Sequence, residues 1–190
     1  MFSTHAIGVP ENLARFLVCA IIRLMNELKK SVITTPLGEM IALATEDNLV
    51  LLEFTDNENT EKDITQVEEV YGAGIEGENL PIKQIRVELE DYFKHPFTTF
   101  KTPVEFIGTD FQKEVWSVIQ SIPAGATSNY SEIAERIGNP NAARAVGNAL
   151  NANKLTLIIP CHRVLTKDFD FGGYNGGQKR KSWLLQHEGI

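Results

Sequence analysis

Ile158-Ile159-Pro160-Cys161-His162-Arg163-Val164 places one of only two thiols in the chain directly after an apolar run. Leu155, Leu157, Ile158 and Ile159 read as a buried strand, Pro160 ends its ladder of hydrogen bonds, and Cys161 opens the bend that follows. A cysteine reacts as its thiolate, so a nucleophilic one needs a proton acceptor or a cationic neighbour. His162 and Arg163 supply both types. Adjacent side chains on a strand point to opposite faces, so His162 reaches the sulfur only at a bend or through a water. A buried cysteine is equally an ordinary small core hydrophobe, and the surrounding chain has to decide between the two readings.

Upstream of this stretch, Phe111, Val115, Trp116, Val118 and Ile119 mark a helix capped by Thr109 or Asp110 and closed by Pro123-Ala124-Gly125, with Trp116 in the core. Ser131 to Ile137 and Ala142 to Leu150 form two short helices around Gly138-Asn139-Pro140-Asn141, the helix-turn-helix form that sets its second helix against DNA. That second helix is slim. Ala142, Ala143, Ala145, Gly147 and Ala149 leave Arg144 as its only charged side chain. It lacks the long polar side chains that read base edges in the major groove, and would suit the narrower minor groove. Tight helix packing explains the small residues equally well. Downstream, Phe171-Gly172-Gly173-Tyr174-Asn175-Gly176-Gly177 is a loop with an aromatic at its centre, either a wall for a flat ligand or a plain turn. Lys181 to Glu188 is a last helix. A carboxylate at a helix C-terminus faces an unfavourable dipole, so Glu188 calls for a partner, naturally a histidine.

The N-terminal half reads differently. Ser31 to Thr35, Glu39 to Thr45 and Leu49 to Thr55 are three short strands in a meander, separated by Thr35-Pro36-Leu37-Gly38 and Glu46-Asp47-Asn48. Asp56 to Gly77 is acidic and reads as a loop or frayed helix. From Pro81, Ile82, Ile85, Leu89 and Phe93 recur at helical spacing until Pro96. Residues 95–108, with Pro96 and Pro103, are the candidate connection between halves. Residues 11–30 form an amphipathic helix too short and too charged to span a bilayer, and no secretory signal is evident. The expected division is a helical extension over 1–30, a sheet-and-helix domain over 31–105 and a C-terminal domain over 106–190.

The chain of 190 residues carries a net charge of −7. Residues 1–105 hold 9 Lys or Arg against 18 Asp or Glu, a balance of −9; residues 106–190 hold 9 against 7, a balance of +2. If the protein contacts a phosphate backbone, the surface belongs to the second half with the acidic half turned away; a solvated acidic face without such a partner fits the small positive balance as well. Cys19 and Cys161 lie far apart and outside metal-ligand spacing, which points to a reducing compartment and against a disulfide framework or structural zinc. A cytoplasmic protein, or a nuclear or nucleoid one if it associates with DNA, and not a secreted one, is expected.

Taken in order, Arg144-Ala145-Val146-Gly147-Asn148-Ala149, Ile159-Pro160-Cys161-His162-Arg163-Val164, Gly172-Gly173-Tyr174 and Trp183-Leu184-Leu185-Gln186-His187-Glu188-Gly189 resemble the O6-alkylguanine-DNA alkyltransferases, the single-turnover repair methyltransferases. The likeness runs from about Phe111 to Gly189, and the N-terminal half agrees more loosely. It implies an α/β (α+β) fold: a small N-terminal sheet-plus-helix domain joined to a mostly helical C-terminal domain with a helix-turn-helix. It implies that Cys161 accepts an alkyl group, activated by His162 through a water, with Glu188 orienting the imidazole. Asn153 would brace the turn, and Arg163 would hold the segment between the halves. Tyr130 would crowd a backbone phosphate and donate to the leaving guanine. Arg144 would fill the vacated place in the stack, on a helix contacting DNA through Ala142, Ala143 and Gly147. The carbonyls of Cys161 and Val164 would accept from the exocyclic amine, Leu150 and Tyr174 would line the pocket, and the Asn175 amide would meet O6.

The partner implied is double-stranded DNA bearing O6-alkylguanine, with O4-alkylthymine a further candidate. The protein is expected to act as a monomer, without cofactor, metal or membrane. Lys154 stands where the family often has proline, and residues 165–171 lack the usual Ser-Gly turn. Three other functions fit part of the sequence: a non-catalytic lesion binder, a cysteine hydrolase using Cys161 and His162, and a helix-turn-helix regulator.

Overall fold

The computed structural model describes residues 27–167 and 172–190. Strands β1 (Lys29–Thr35), β2 (Gly38–Ala44) and β3 (Leu49–Phe54) form the expected antiparallel meander. Its first turn is closed by Thr35, whose hydroxyl donates to the Gly38 carbonyl at 2.7 Å and accepts from the Leu37 amide. Strand β1 begins at Lys29, inside the range expected to be a helical extension; residues 1–26 of that range lie outside the described residues. The acidic stretch after β3 contains a complete helix, α1 (Thr60–Tyr71), rather than a frayed one. Ile64, Val67 and Tyr71 give it one apolar stripe, which packs on the sheet. Strand β4 (Ile75–Glu76) adds beside β1 in parallel, giving the order β3-β2-β1-β4.

Helix α2 (Leu80–Lys94) starts where Asn79 accepts from the Ile82 amide, has Pro81 in its first turn, and stops just before Pro96. It buries Ile82, Ile85, Leu89 and Tyr92. Alternation along β2 sends Met40, Ala42 and Ala44 to the main core and Ile41 and Leu43 to a second cluster under α1. The sheet is therefore covered on both faces. A register shift at Leu43/Ala44 lets Val50 and Leu51, consecutive residues of β3, both join the second cluster.

The C-terminal half opens with α3 (Asp110–Gln120), held by a capping box between Thr109 and Gln112. Strand β5 (Ser128–Asn129) pairs in parallel with β6 (Val164–Leu165) and leads into α4 (Tyr130–Arg136), which Asn129 and Glu132 cap in the same way. Gly138, at φ 73°, ends α4: its amide reaches the Glu135 carbonyl and the Asn139 amide reaches Ala134. This Schellman turn needs a left-handed residue and turns the chain into α5 (Ala143–Asn151). Trp116, in the core as expected, donates from its indole to the Ala149 carbonyl at 2.8 Å and ties α3 to α5. The final helix is α6 (Gln178–His187).

The apolar run before Cys161 is not a strand. Leu157 takes a left-handed φ of 75°, and the Ile159 amide bonds back to the Leu155 carbonyl, so residues 155–159 make a tight turn. A bulky residue in that conformation costs about 1–2 kcal/mol, which the surrounding structure must offset. Just upstream, residues 154–156 run beside the edge strand β3: Leu52 N–H donates to the Lys154 carbonyl at 2.8 Å and Thr156 N–H to the Leu52 carbonyl at 2.9 Å. Side chains reinforce this seam. The Lys154 ammonium meets Asp63 at 3.2 Å, and the Thr156 hydroxyl donates to the fully buried Glu53 at 2.8 Å. The segment leading to the cysteine is thus fastened to the N-terminal sheet.

Candidate active site

Cys161, His162 and Arg163 form a single 3-10 turn and are all buried. The Cys161 amide donates to the Ile159 carbonyl at 2.8 Å, and the Asn153 amide group lies over the turn, donating to the Ile159 carbonyl at 3.2 Å and to the Cys161 Sγ at 3.3 Å. Its Oδ1 accepts from the Leu155 amide, so the side chain is fixed at both ends. Asn153 stands where a brace was expected. The Leu150 carbonyl lies 3.9 Å from Sγ, and Tyr174 is set against the His162 ring with centroids 6.4 Å apart. Burial pushes the Cys161 thiol up to about 12, opposed by the Asn153 contact. Buried in this way the sulfur is a neutral thiol, which becomes a nucleophile only as its proton is taken.

Glu188 collects the donors around it. His162 Nε2 lies 2.9 Å from Oε1, Arg163 reaches Oε2 with Nε at 2.9 Å and Oε1 with Nη2 at 2.8 Å, and the Tyr92 hydroxyl donates to Oε1 at 2.7 Å. The carboxylate is 1% exposed. Burial alone would raise its pKa, but the hydrogen bonds from His162 and Arg163 outweigh that and hold it at about 2. An ionised acceptor at Nε2 fixes the tautomer: the proton sits on Nε2 and Nδ1 carries the lone pair. Burial holds His162 below its usual range, so the imidazole is neutral. Nδ1 is buried and has no hydrogen-bond partner among the described residues. The expected pairing of Glu188 with a histidine is present. Arg163 also donates to the Ile122 carbonyl at 2.6 Å and lies within hydrogen-bonding reach of the Tyr92 hydroxyl from the N-terminal half.

The helix-turn-helix lies beside this turn. Tyr130, first residue of α4, faces Gly147 of α5, where a Cβ would stand 3.6 Å from its ring, and approaches Gly172 with its hydroxyl. Burial raises its pKa, and a thiolate at the nearby Cys161 would add to that. Helix α5 buries Val146, Ala149 and Leu150, with Ala142 buried at its start, and turns Arg144, Ala145 and Asn148 outward. Ala143 and Gly147 are half-buried. The outward face is as slim as the sequence indicated. The Cys161 carbonyl accepts from the Val164 amide, and the Val164 carbonyl accepts from the buried Lys181 Nζ at 2.6 Å. Asn175 is anchored through its side chain, Oδ1 accepting from Asn59 at 2.9 Å.

Tyr92, Glu53 and Lys181 escaped the sequence reading. Each sits on an ordinary helix or strand, and only its partner, far away in sequence, marks it. Among the described residues no group of three or more His, Cys, Asp or Glu could hold a metal ion, and no helix is long and apolar enough to cross a membrane.

The chain is similar to known proteins along most of its length. Residues 28–106 match the family model described as 6-O-methylguanine DNA methyltransferase, ribonuclease-like domain, and residues 110–190 match its DNA binding domain. The methylated-DNA–protein-cysteine methyltransferase of Shigella flexneri is 44% identical over 103 residues, 54% of this chain and 60% of that protein. The chain thus spans about three fifths of the length of that relative. The mouse protein of the same name is 37% identical over 175 residues, covering 86% of this chain and 82% of its own. A crystal structure of Mycobacterium tuberculosis OGT in complex with DNA superposes with a TM-score of 0.73 at 32% identity, over 84% of this chain and 92% of that one. By both family models and by relatives that align along most of its length, the chain belongs to the 6-O-methylguanine DNA methyltransferase family.

Proposed function

We propose that this protein repairs DNA by moving an alkyl group, chiefly methyl, from O6 of guanine to Cys161. One observation carries the reading: His162 is tied through Nε2 to the Glu188 carboxylate while its Nδ1 lone pair is buried without a partner among the described residues, one residue from a buried thiol. That is a base held in one tautomer, ready to take a proton through a single water.

A thiolate cannot approach the O6 substituent in line within a duplex, so the base must swing out, and a weakened lesion pair unstacks at lower cost. Helix α5 lies in the minor groove, where its small residues permit close approach and Arg144 fills the gap in the stack. The base enters between Tyr174 and Leu150, its exocyclic amine donating to the carbonyls of Cys161 and Val164, and its O6 accepting from the Asn175 amide. The Cys161 proton passes to His162. Sγ attacks the alkyl carbon, the S–C bond forms as the C–O6 bond breaks, and the electron pair stays on the guanine. Tyr130 donates a proton to the ring, restoring guanine, and is reprotonated from solvent, to which His162 releases the proton it took. The thioether has no route back, so each molecule acts once, without a cofactor. DNA carrying the lesion is the partner, and a monomer suffices.

With a duplex containing one O6-methylguanine, loss of the lesion should rise linearly with added protein and stop at one lesion per chain. Turnover beyond one, or tight binding without loss, would overturn the reading; the latter would leave a lesion binder. Arg144→Ala should slow transfer from duplex by one to two orders of magnitude, because base extrusion loses its stand-in. Reaction with the free O6-alkylated base, which needs no extrusion, should be unchanged.

A further inference from the structure

We infer that Tyr92, a residue of the N-terminal domain, is a positioning residue for the alkyl transfer: its hydroxyl sets how strongly Glu188 engages His162. The inference rests on the function proposed above and adds a part to it. Of the four hydrogen bonds that reach the Glu188 carboxylate, three come from the C-terminal half and the fourth from Tyr92, 96 residues earlier in the chain, at 2.7 Å. Tyr92 and His162 donate to the same oxygen, Oε1. A carboxylate oxygen shared among donors is a weaker acceptor for each, so the phenol limits how much basicity Glu188 confers on the imidazole.

The hydroxyl is not placed there by burial alone. Tyr92 is fixed at both ends by consecutive residues of the chain terminus: His187 Nε2 lies 2.8 Å from its backbone carbonyl, and Glu188 takes its hydroxyl. Its ring is wedged between Phe93, Phe100 and His187, with centroids 5.4, 5.5 and 5.3 Å away. The His187 ring in turn stacks on Trp183 at 4.8 Å. Burial and the adjacent Glu188 charge push the Tyr92 pKa upward, so the phenol stays a donor at all working pH values. The effect on the thiol is indirect. Tyr92 acts through Glu188 on the Nε2 proton of His162, and through the imidazole on the lone pair at Nδ1 that takes the Cys161 proton.

The test is Tyr92→Phe in the full chain, which keeps the ring and its packing and removes only the oxygen. With one donor fewer on Oε1, His162 becomes more basic and stays protonated to higher pH. The acid limb of the pH profile for transfer from O6-methylguanine duplex should therefore move upward by roughly half a pH unit. The rate below that limb should fall severalfold, and DNA affinity should not change. Phe100→Leu, which loosens the same aromatic cluster without touching Glu188, serves as the comparison. It should lower thermal stability and leave the limb in place. An unshifted limb in Tyr92→Phe, or an equal shift in both variants, would overturn the inference. Absence of transfer by the unaltered protein would instead overturn the function on which it rests.

Discussion

Glu188→Gln should unfold at markedly lower denaturant concentration than the parent protein and transfer alkyl groups at least a hundredfold more slowly. The stability loss follows from charge. Glu188 is the buried counter-ion of Arg163, itself 7% exposed, and the two are joined by paired hydrogen bonds of 2.8 and 2.9 Å. A glutamine leaves the guanidinium buried without its opposite charge, and breaking such a pair costs about 3–5 kcal/mol. The loss depends on pH in a defined direction. The folded carboxylate titrates at about 2, below its ordinary 4.5, so the stability it contributes is fully present above about pH 4.5 and drains away as pH falls towards 2. Urea midpoints of the two proteins should accordingly converge in that acid window. The loss of rate has a separate origin. A neutral amide offers Nε2 a weaker acceptor, and the ring can then turn or change tautomer, which removes the lone pair from Nδ1.

Cys161→Ser should abolish transfer altogether while leaving DNA affinity unchanged. The serine hydroxyl is much harder to ionise than the thiol, and its oxygen is a poor nucleophile towards an alkyl carbon. The groups expected at the DNA surface, Arg144 and the outward side of α5, lie on a separate element from the 3-10 turn that carries residue 161. Gel-shift titrations with lesion duplex should thus overlay those of the parent protein, and the lesion should persist however much variant is added. Residual transfer to another side chain would require a second nucleophile. Among the described residues Cys161 is the free thiol.

Much of this site was legible before any coordinates, because its chemistry is local in sequence. Cys161, His162 and Arg163 are consecutive, and Glu188 drew attention as a carboxylate at the wrong end of a helix. The slim α5 was likewise visible from its alanines and Gly147. What escaped notice depended on distant partners. Tyr92 shares its helical face with Leu89 and Ile85 and so reads as core; its function comes from a carboxylate 96 residues away. Glu53 is one acid inside an expected strand with nothing beside it in sequence to mark it; both faces of that strand are covered and Thr156 supplies its partner. The strand expected over 155–159 fails for a different reason. Four aliphatic residues announce burial, and burial does not distinguish an extended segment from a turn locked by left-handed Leu157. Helix α1 was obscured by its acidic residues, although Ile64, Val67 and Tyr71 already carried its period.

One sulfur should take the alkyl group, and peptide mass mapping after incubation with a duplex bearing O6-methylguanine can show it. The peptide containing Cys161 should gain the mass of one methylene in every molecule that has met a lesion, with no other peptide altered. A Cys161 peptide of unchanged mass, from folded protein exposed to excess lesion, would contradict it.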